Sequence, residues 1–316
     1  MRTTVRLFRG STVIGLAGLA ALVSGGCAKK SASTRPQVGV TLLTEAHVFY
    51  QGLKQGLLAA ADSLGMDLHV VAGEWDLARQ TSQVDNFITQ KMDAIVIAPV
   101  DSRGIVSAVE DANRAGIPVF TADIAAAGGR ITSHVASDNV QAGRLLGEYL
   151  ATQLHGKGDI AILDQPTVTS VIDRVRGFRE AIAQHPGIHI VADPAVERGV
   201  RDVAKNKTDN LLQAHPTLDG IFGSNDDCAL GALASVRAAG KSNIVIVGFD
   251  ATPEARAAIS DGGALKADAV QYPEVIGRKT IETVYRALHG EQVPPSVLIP
   301  VGIVNRDSLV RHAPAP

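Results

Sequence analysis

The sequence predicts an α/β protein of doubly wound type with two parallel sheets. Three observations predict it. Short apolar runs such as "VGVTLL", "DAIVIAPV" and "IVIVGF" show no inside-outside alternation, as strands covered on both faces require. Each run leads through a polar turn into a helical pattern, the rhythm of β-α-β crossovers. The chain has 316 residues, 46% of them hydrophobic and 20% charged, which allows a sizeable core and calls for two sheets rather than one.

The elements follow in order. "VGVTLL" is the first strand, and "GLKQGLLAAADSLG" is a helix with Leu53, Leu57, Ala60 and Leu64 on one face and Gly65 as its stop. "LHVVA", a helix over 83–90, "DAIVIAPV", a helix over 104–115 ending at Gly116, and "IPVFTA" complete the first half. The second half repeats the theme: "DIAIL", a helix around 175–183, "IHIVA", a helix running to Ala214, "GIFG", a helix over 227–239, "IVIVGF" and "ADAV".

The N-terminus reads as an export signal. Arg2, Arg6 and Arg9 precede the uncharged, apolar stretch "STVIGLAGLAALVSGGC", which is too short for the ~20 residues that span a bilayer. Cys27, after Gly25 and Gly26, reads as the lipid-bearing cysteine of a bacterial lipoprotein, although Ser24 stands where the usual box has an aliphatic residue. Plain secretion with cleavage near Gly26 and an uncleaved anchor are the alternatives. Residues 28–36 read as a flexible polar tether. The expected location is the periplasm or cell surface, with contact to the membrane only through the lipid.

Composition excludes several classes. A net charge of -2 without a basic run argues against nucleic acid as a partner. Neither a GxxxxGK[ST] loop nor a GxGxxG after a strand is present, and no Cys/His spacing suits a metal, so no cofactor and no metal are expected. After processing only Cys228 remains, which reads as a small buried apolar residue. In doubly wound sheets ligands lie at the carboxyl ends of strands. Asp123, Gln165, Asn225, Asp250 and Gln271 fall there, together with Phe49 and Tyr50 in a chain only 4% aromatic. Fixed acceptors beside aromatic faces suit a polyhydroxylated small molecule.

The motifs "ASDNVQAGRLLGEYLA", "GIFGSNDDCALGALASVRAAGKSNIVIVGFDATPEARAAI" and "ADAVQYPEVIGRKTIETV" carry a resemblance. They are similar to the ribose-binding group of periplasmic sugar-binding proteins, receptors of bacterial ABC importers, and the likeness runs over residues 37–307. It implies a periplasmic-binding-protein type I fold: two Rossmann-like domains, 37–137 plus 272–300 and 138–271 plus 301–316, joined by a three-strand hinge that closes on ligand. It implies an ABC permease and ATPase as partners of a monomer, and no catalysis. Phe49 and Tyr50 match the stacking aromatics, Asp123 and Asp250 the binding acids, Asn225 an amide and Gln271 the hinge glutamine. Departures fall at Ile124 and Ile172, where the ribose pattern has arginines, and at His47 and Ala98, where it has asparagines. Arg174 is retained, as ligand contact or as packing. The expected ligand is therefore a neutral sugar or polyol other than ribose, with an amine-bearing molecule as the alternative and anionic sugars excluded.

Other readings stay in view. Phe49 also fits a core position, Asp250 also fits a cap for the helix starting near Pro253, and His47 and Trp75 also fit loop and rim positions. Asp123 and Asp250 could form a glycosidase pair, but no nucleophile or metal constellation accompanies them. A sugar-responsive repressor would need a DNA-binding helix-turn-helix at the N-terminus, where an export signal stands. Delivery to a chemoreceptor or kinase is the remaining alternative to transport.

Overall fold

The computed structural model describes residues 35–311. The expected export signal and Cys27 lie outside the described residues.

Two six-stranded sheets form the framework. The first takes β1 (Gln37–Leu42), β2 (Asp67–Ala72), β3 (Ala94–Ile97), β4 (Val119–Ala122), β5 (Ser133–Ser137) and β11 (Ser296–Ile299) in the order β11-β5-β4-β3-β1-β2, all parallel. The second takes β6 (Lys157–Leu163), β7 (Gly187–Ala192), β8 (Gly220–Gly223), β9 (Val245–Asp250), β10 (Leu265–Val270) and β12 (Gly302–Asn305) in the order β12-β10-β9-β8-β6-β7. Only β12 runs antiparallel to its neighbour. The strands β3, β4 and β8 are buried along their whole length, as the absence of alternation predicts.

The crossovers are α1 (Val48–Leu64), α2 (Leu77–Thr89), α3 (Val106–Arg114), α4 (Asn139–Gln153), α5 (Thr169–Ile182), α6 (Arg201–Ala214), α7 (Asp226–Ala238), α8 (Pro253–Ser260) and α9 (Pro273–Leu288), with α10 (Arg306–Arg311) at the end. Leu53, Leu57 and Ala60 are buried along α1, and Gly65 ends that helix in the left-handed conformation at φ 66°. Three elements differ from the sequence expectation. The helix expected over 83–90 begins at Leu77, because Asp76 caps it by accepting from the Arg79 N–H at 3.0 Å. The helix expected around 175–183 begins at Thr169. The strand β5, "SHVAS", escapes a hydrophobicity pattern, since the half-buried ring of His134 is paired with Thr121 Oγ1 at 2.9 Å.

The chain passes between the layers of the two sheets three times, after β5, after β10 and between β11 and β12. Consequently α4 packs on α5 beside the second sheet, and α9 packs on α1 beside the first. Both pairs meet at glycines. A Cβ on Gly143 or Gly177 would collide with the carbonyl oxygen of Arg174 or Val140, and one on Gly56 or Gly277 with that of Glu274 or Leu53. The helices thus approach backbone to backbone, which brings each strand-end loop inward.

Candidate functional site

Residues just beyond the carboxyl ends of strands from both sheets line one cleft, whose space, counted to its open mouth, is ≈ 530 Å³. Its floor is built on strained backbone. Asp123 follows β4 with φ 65°, Asp250 ends β9 with φ 126°, and Ala251 follows with φ 56°. Non-glycine residues in this region cost about 1–3 kcal/mol each and persist where surrounding contacts over-determine them.

Those contacts are visible. The Tyr50 hydroxyl donates to Asp123 Oδ2 at 2.7 Å, while Asp123 Oδ1 is buried without a partner among the described residues. Burial pushes the Asp123 carboxyl up to about 6, and the nearby Arg174 charge and the Tyr50 hydrogen bond hold it from rising further. Burial, and then the Asp123 charge, push the Tyr50 phenol well up, so it remains a donor. Phe49 meets Tyr50 edge to face, with ring centroids 5.2 Å apart.

Asp250 is held from the other side. Gln271 Nε2 donates to Asp250 Oδ1 at 2.6 Å, and Gln271 Oε1 accepts from Ser137 Oγ at 2.7 Å. This relay joins the end of β10 to the end of β5, two of the places where the chain crosses between sheets. The cap of α8 is Thr252, whose hydroxyl accepts from the Ala255 N–H, so Asp250 is free of that task. Arg174, 4% exposed, lies with its guanidinium 3.7 Å above the Phe249 ring. It donates to Asn139 Oδ1 and to the Ser224 carbonyl, both at 2.9 Å, and its Nη1 stands 4.0 Å from Asp250 Oδ1.

His47 caps α1, its Nδ1 accepting from the Phe49 N–H at 3.2 Å. With Nδ1 as acceptor the proton sits on Nε2, which points at Asp250 Oδ2 (3.9 Å) and Asp227 Oδ2 (4.0 Å). Asn225 caps α7 through Oδ1 and donates from Nδ2 to the Gly199 carbonyl at 3.0 Å. Both residues line the cleft while shaping its walls.

Of the residues expected from sequence, the cleft brings together His47, Phe49, Tyr50, Asp123, Ile124, Arg174, Asn225, Asp250 and Gln271. Ile172 is the correction. It is 42% exposed and is not among the lining residues, because α5 turns Val171, Arg174 and Val175 inward and leaves Ile172 about 100° away. The cleft therefore keeps a guanidinium, that of Arg174. Gln165 and Trp75 also line it, as do Asp227 and Arg198, which the sequence reading passed over. Asp227 stands two residues after the Asn225 cap and is ion-paired with Arg201 at 3.1 Å, whereas Arg198 lies on a short turn with φ 62° that no composition signal marks. Cys228 is fully buried, and burial pushes its thiol up to about 12, which leaves it inert.

Loops that follow strands of the first sheet also touch the second sheet's side away from the acids. Ser102 and Ala125, in loops after β3 and β4, meet the start of α5. The Ser102 N–H donates to the Thr167 carbonyl (3.0 Å), the Thr169 N–H to Ser102 Oγ (3.0 Å), and the Ala125 N–H to Thr169 Oγ1 (2.8 Å).

Residues 38–292 match the family described as Periplasmic binding protein domain. The chain is 34% identical over 284 residues to the ribose import binding protein RbsB of Escherichia coli (strain K12), covering 90% of this chain and 93% of that protein. It is 33% identical over 247 residues to the xylitol-binding protein of Mycolicibacterium smegmatis, covering 78% of this chain and 70% of that one. An ABC transporter solute binding protein from Mycobacterium smegmatis, solved with bound glycerol, superposes with a TM-score of 0.83 at 31% identity, covering 89% of this chain and 98% of the other.

Proposed function

The chain belongs to the periplasmic binding protein domain family, and from that premise we propose that it is the solute-binding protein of an ABC importer, capturing one neutral sugar or polyol by closing its two lobes. The observation that carries this reading is the open acceptor of Asp123. A buried carboxylate fixed by Tyr50 through one oxygen leaves the other for donors on a ligand, and an unmet buried acceptor is costly until a hydroxyl fills it. Ribose, xylitol and glycerol, the molecules associated with the relatives, are all neutral polyhydroxy compounds. The names of these relatives speak of binding and import, not of a reaction.

Ligand specificity belongs to the same proposal. Ile124 forms an apolar wall next to Asp123, so a ligand should present a C–H face there, and ribose should bind less well than a sugar or polyol lacking a hydroxyl at that point. Three acids, Asp123, Asp227 and Asp250, disfavour sugar acids and phosphates despite Arg174, two of whose five N–H donors serve Asn139 and Ser224. Closure would pivot on the three crossings, with the Ser137–Gln271–Asp250 relay coupling the crossings to the ligand. The permease and ATPase would take up the loaded protein at the outer face of a membrane, where a lipid on Cys27 would retain it.

A thermal-shift panel of D-ribose, xylitol, D-apiose, D-allose, myo-inositol, amino sugars and sugar acids tests the reading. A bound member at 100 times its Kd stabilises by about 2.7 kcal/mol. A shift with a neutral polyol or sugar and none with sugar acids is expected. Stabilisation by a sugar acid alone would overturn the neutral-ligand assignment, and stabilisation by an amino sugar alone would replace it with the amine-bearing class.

A further inference from the structure

Behind Asp250 lies a second pair of carboxyl groups that the solute-binding reading does not use. Asp226 is 2% exposed and Asp268 is fully buried. The β9–β10 register pairs Asp268 with Gly248, and a Cβ on Gly248 would lie 3.3 Å from both Asp268 carboxyl oxygens. Asp268 therefore covers the backbone of β9 two residues before Asp250, on the same face of the strand. Asp226 begins α7. Its Oδ2 accepts from the Thr252 N–H at 2.7 Å, and its own N–H approaches Asp250 Oδ2 at 3.5 Å. Asp226 Oδ1 and both Asp268 oxygens are buried without a well-formed hydrogen bond; the Thr252 hydroxyl bears on Asp226 and the Ala251 N–H on Asp268, and the two carboxyls lie against each other.

Two carboxylates cannot both be ionised at such a distance in a dry interior without a cation. The charged groups near the pair are engaged elsewhere: on β10 itself Lys266 donates to the Gly262 carbonyl at 3.4 Å, and Arg306 of α10 lies against Gly262. From β9 comes Asp250, another acid; from α7, Asp227, spent on Arg201; from α8, Arg256, whose Nε bonds the Ala251 carbonyl; and from α5, Arg174, bound to Asn139 and Ser224. Neither Asp226 nor Asp268 forms an ion pair among the described residues.

We propose that Asp268 is a positioning residue for the binding acid Asp250: as a neutral acid it donates a shared proton to Asp226, which in turn holds the strained Asp250–Thr252 turn through the Thr252 N–H. Burial pushes both carboxyls up, and the Asp226 charge raises Asp268 further, which agrees with one proton held by the pair at neutral pH. Loss of that proton at alkaline pH sets two carboxylates against each other and moves the turn that presents Asp250. The pair thus sets the alkaline limit of ligand binding. This rests on the solute-binding reading only for the role of Asp250.

The test uses the purified, ligand-free chain. Aspartate 13Cγ NMR is followed from pH 5 to 10 together with two reporters, the Thr252 backbone amide and the Gln271 side-chain amide bonded to Asp250 Oδ1. Asp268 should show a protonated carboxyl shift at pH 7 and titrate on the alkaline side, with both reporters moving in step. Asp268→Asn, which keeps a donor toward Asp226, should remove that step from both reporters. Asp268→Leu, which has no donor, should displace them at every pH. An ionised Asp268 at pH 7, or a titration that leaves Thr252 and Gln271 unmoved, overturns the proposal. The wild-type titration alone decides if a variant fails to fold. No ligand enters the experiment, so its failure is distinct from failure of the solute-binding reading.

Discussion

The Tyr50 phenol and the Asp123 carboxylate meet across 2.7 Å although 73 positions separate them in sequence. The contact is fully internal to the first sheet's side of the cleft, and it leaves one carboxylate oxygen in want of a donor.

Asp123 should impose a pH dependence of known sign. Its carboxyl is raised from 3.8 to about 6 in the folded chain, so the native state holds this proton where the unfolded chain has lost it. The stability tied to it is full below about pH 4 and is lost as pH rises through about 6. Asp123→Asn should accordingly raise stability at pH 7 by about 1–3 kcal/mol in urea denaturation while weakening binding of the best panel sugar by more than about tenfold. Wild-type affinity should fall below about pH 6 as the acceptor is protonated. A calorimetric affinity flat between pH 5 and 8 would contradict this assignment.

Arg174 should be the most costly single site to alter. Its guanidinium bridges α4, β8 and the Phe249 ring, and removing one partner of such a buried group costs about 3–5 kcal/mol. Arg174→Met should lower the urea midpoint by a corresponding amount. Arg174→Lys should not restore it, because an ammonium cannot reproduce the planar fork.

Thr169 should control how readily the lobes part. Thr169→Val removes the hydroxyl that serves Ala125 at 2.8 Å, a loss of about 0.5–1.5 kcal/mol favouring the separated state. Small-angle scattering of the ligand-free variant should give a larger radius of gyration, and affinity should drop by about two- to tenfold. An unchanged radius together with an unchanged affinity would remove Thr169 from the closing contacts.

Cys27→Ser tests the anchor. The wild-type chain should fractionate with membranes and carry lipid on an N-terminal cysteine by mass spectrometry, and the variant should be released. Several acyl chains hold stably where one alone is marginal. The same membrane fraction for both chains would return the signal to plain secretion or an uncleaved anchor.

The sequence made the strand-end acids legible because doubly wound topology fixes where a residue after a parallel strand must lie. Asp123, Asp250 and Gln271 could be named from that rule alone. Ile172 is assigned from the resemblance, by its spacing to Gly177, and such spacing carries no information on which face of α5 a residue occupies; there it falls on the exposed side. Asp268 was hidden in "ADAV", which reads as an ordinary strand, and its meaning depends on Asp226, 42 positions earlier in the numbering, arriving beside it. The strand β5 was hidden by Ser133 and His134, polar residues whose burial is made tolerable by the Pro294 carbonyl and Thr121.

The last segment of the chain belongs to both halves. Residues 273–305 give α9 and β11 to the first sheet's side and β12 to the second. Until they are made, α1 has no glycine-faced partner, β5 presents a bare edge and β10 does too. Neither half can finish folding on its own from an N-terminal fragment, however complete its earlier strands are. Folding is thereby coupled across the cleft, and the protein should melt in one transition although it is built from two sheets.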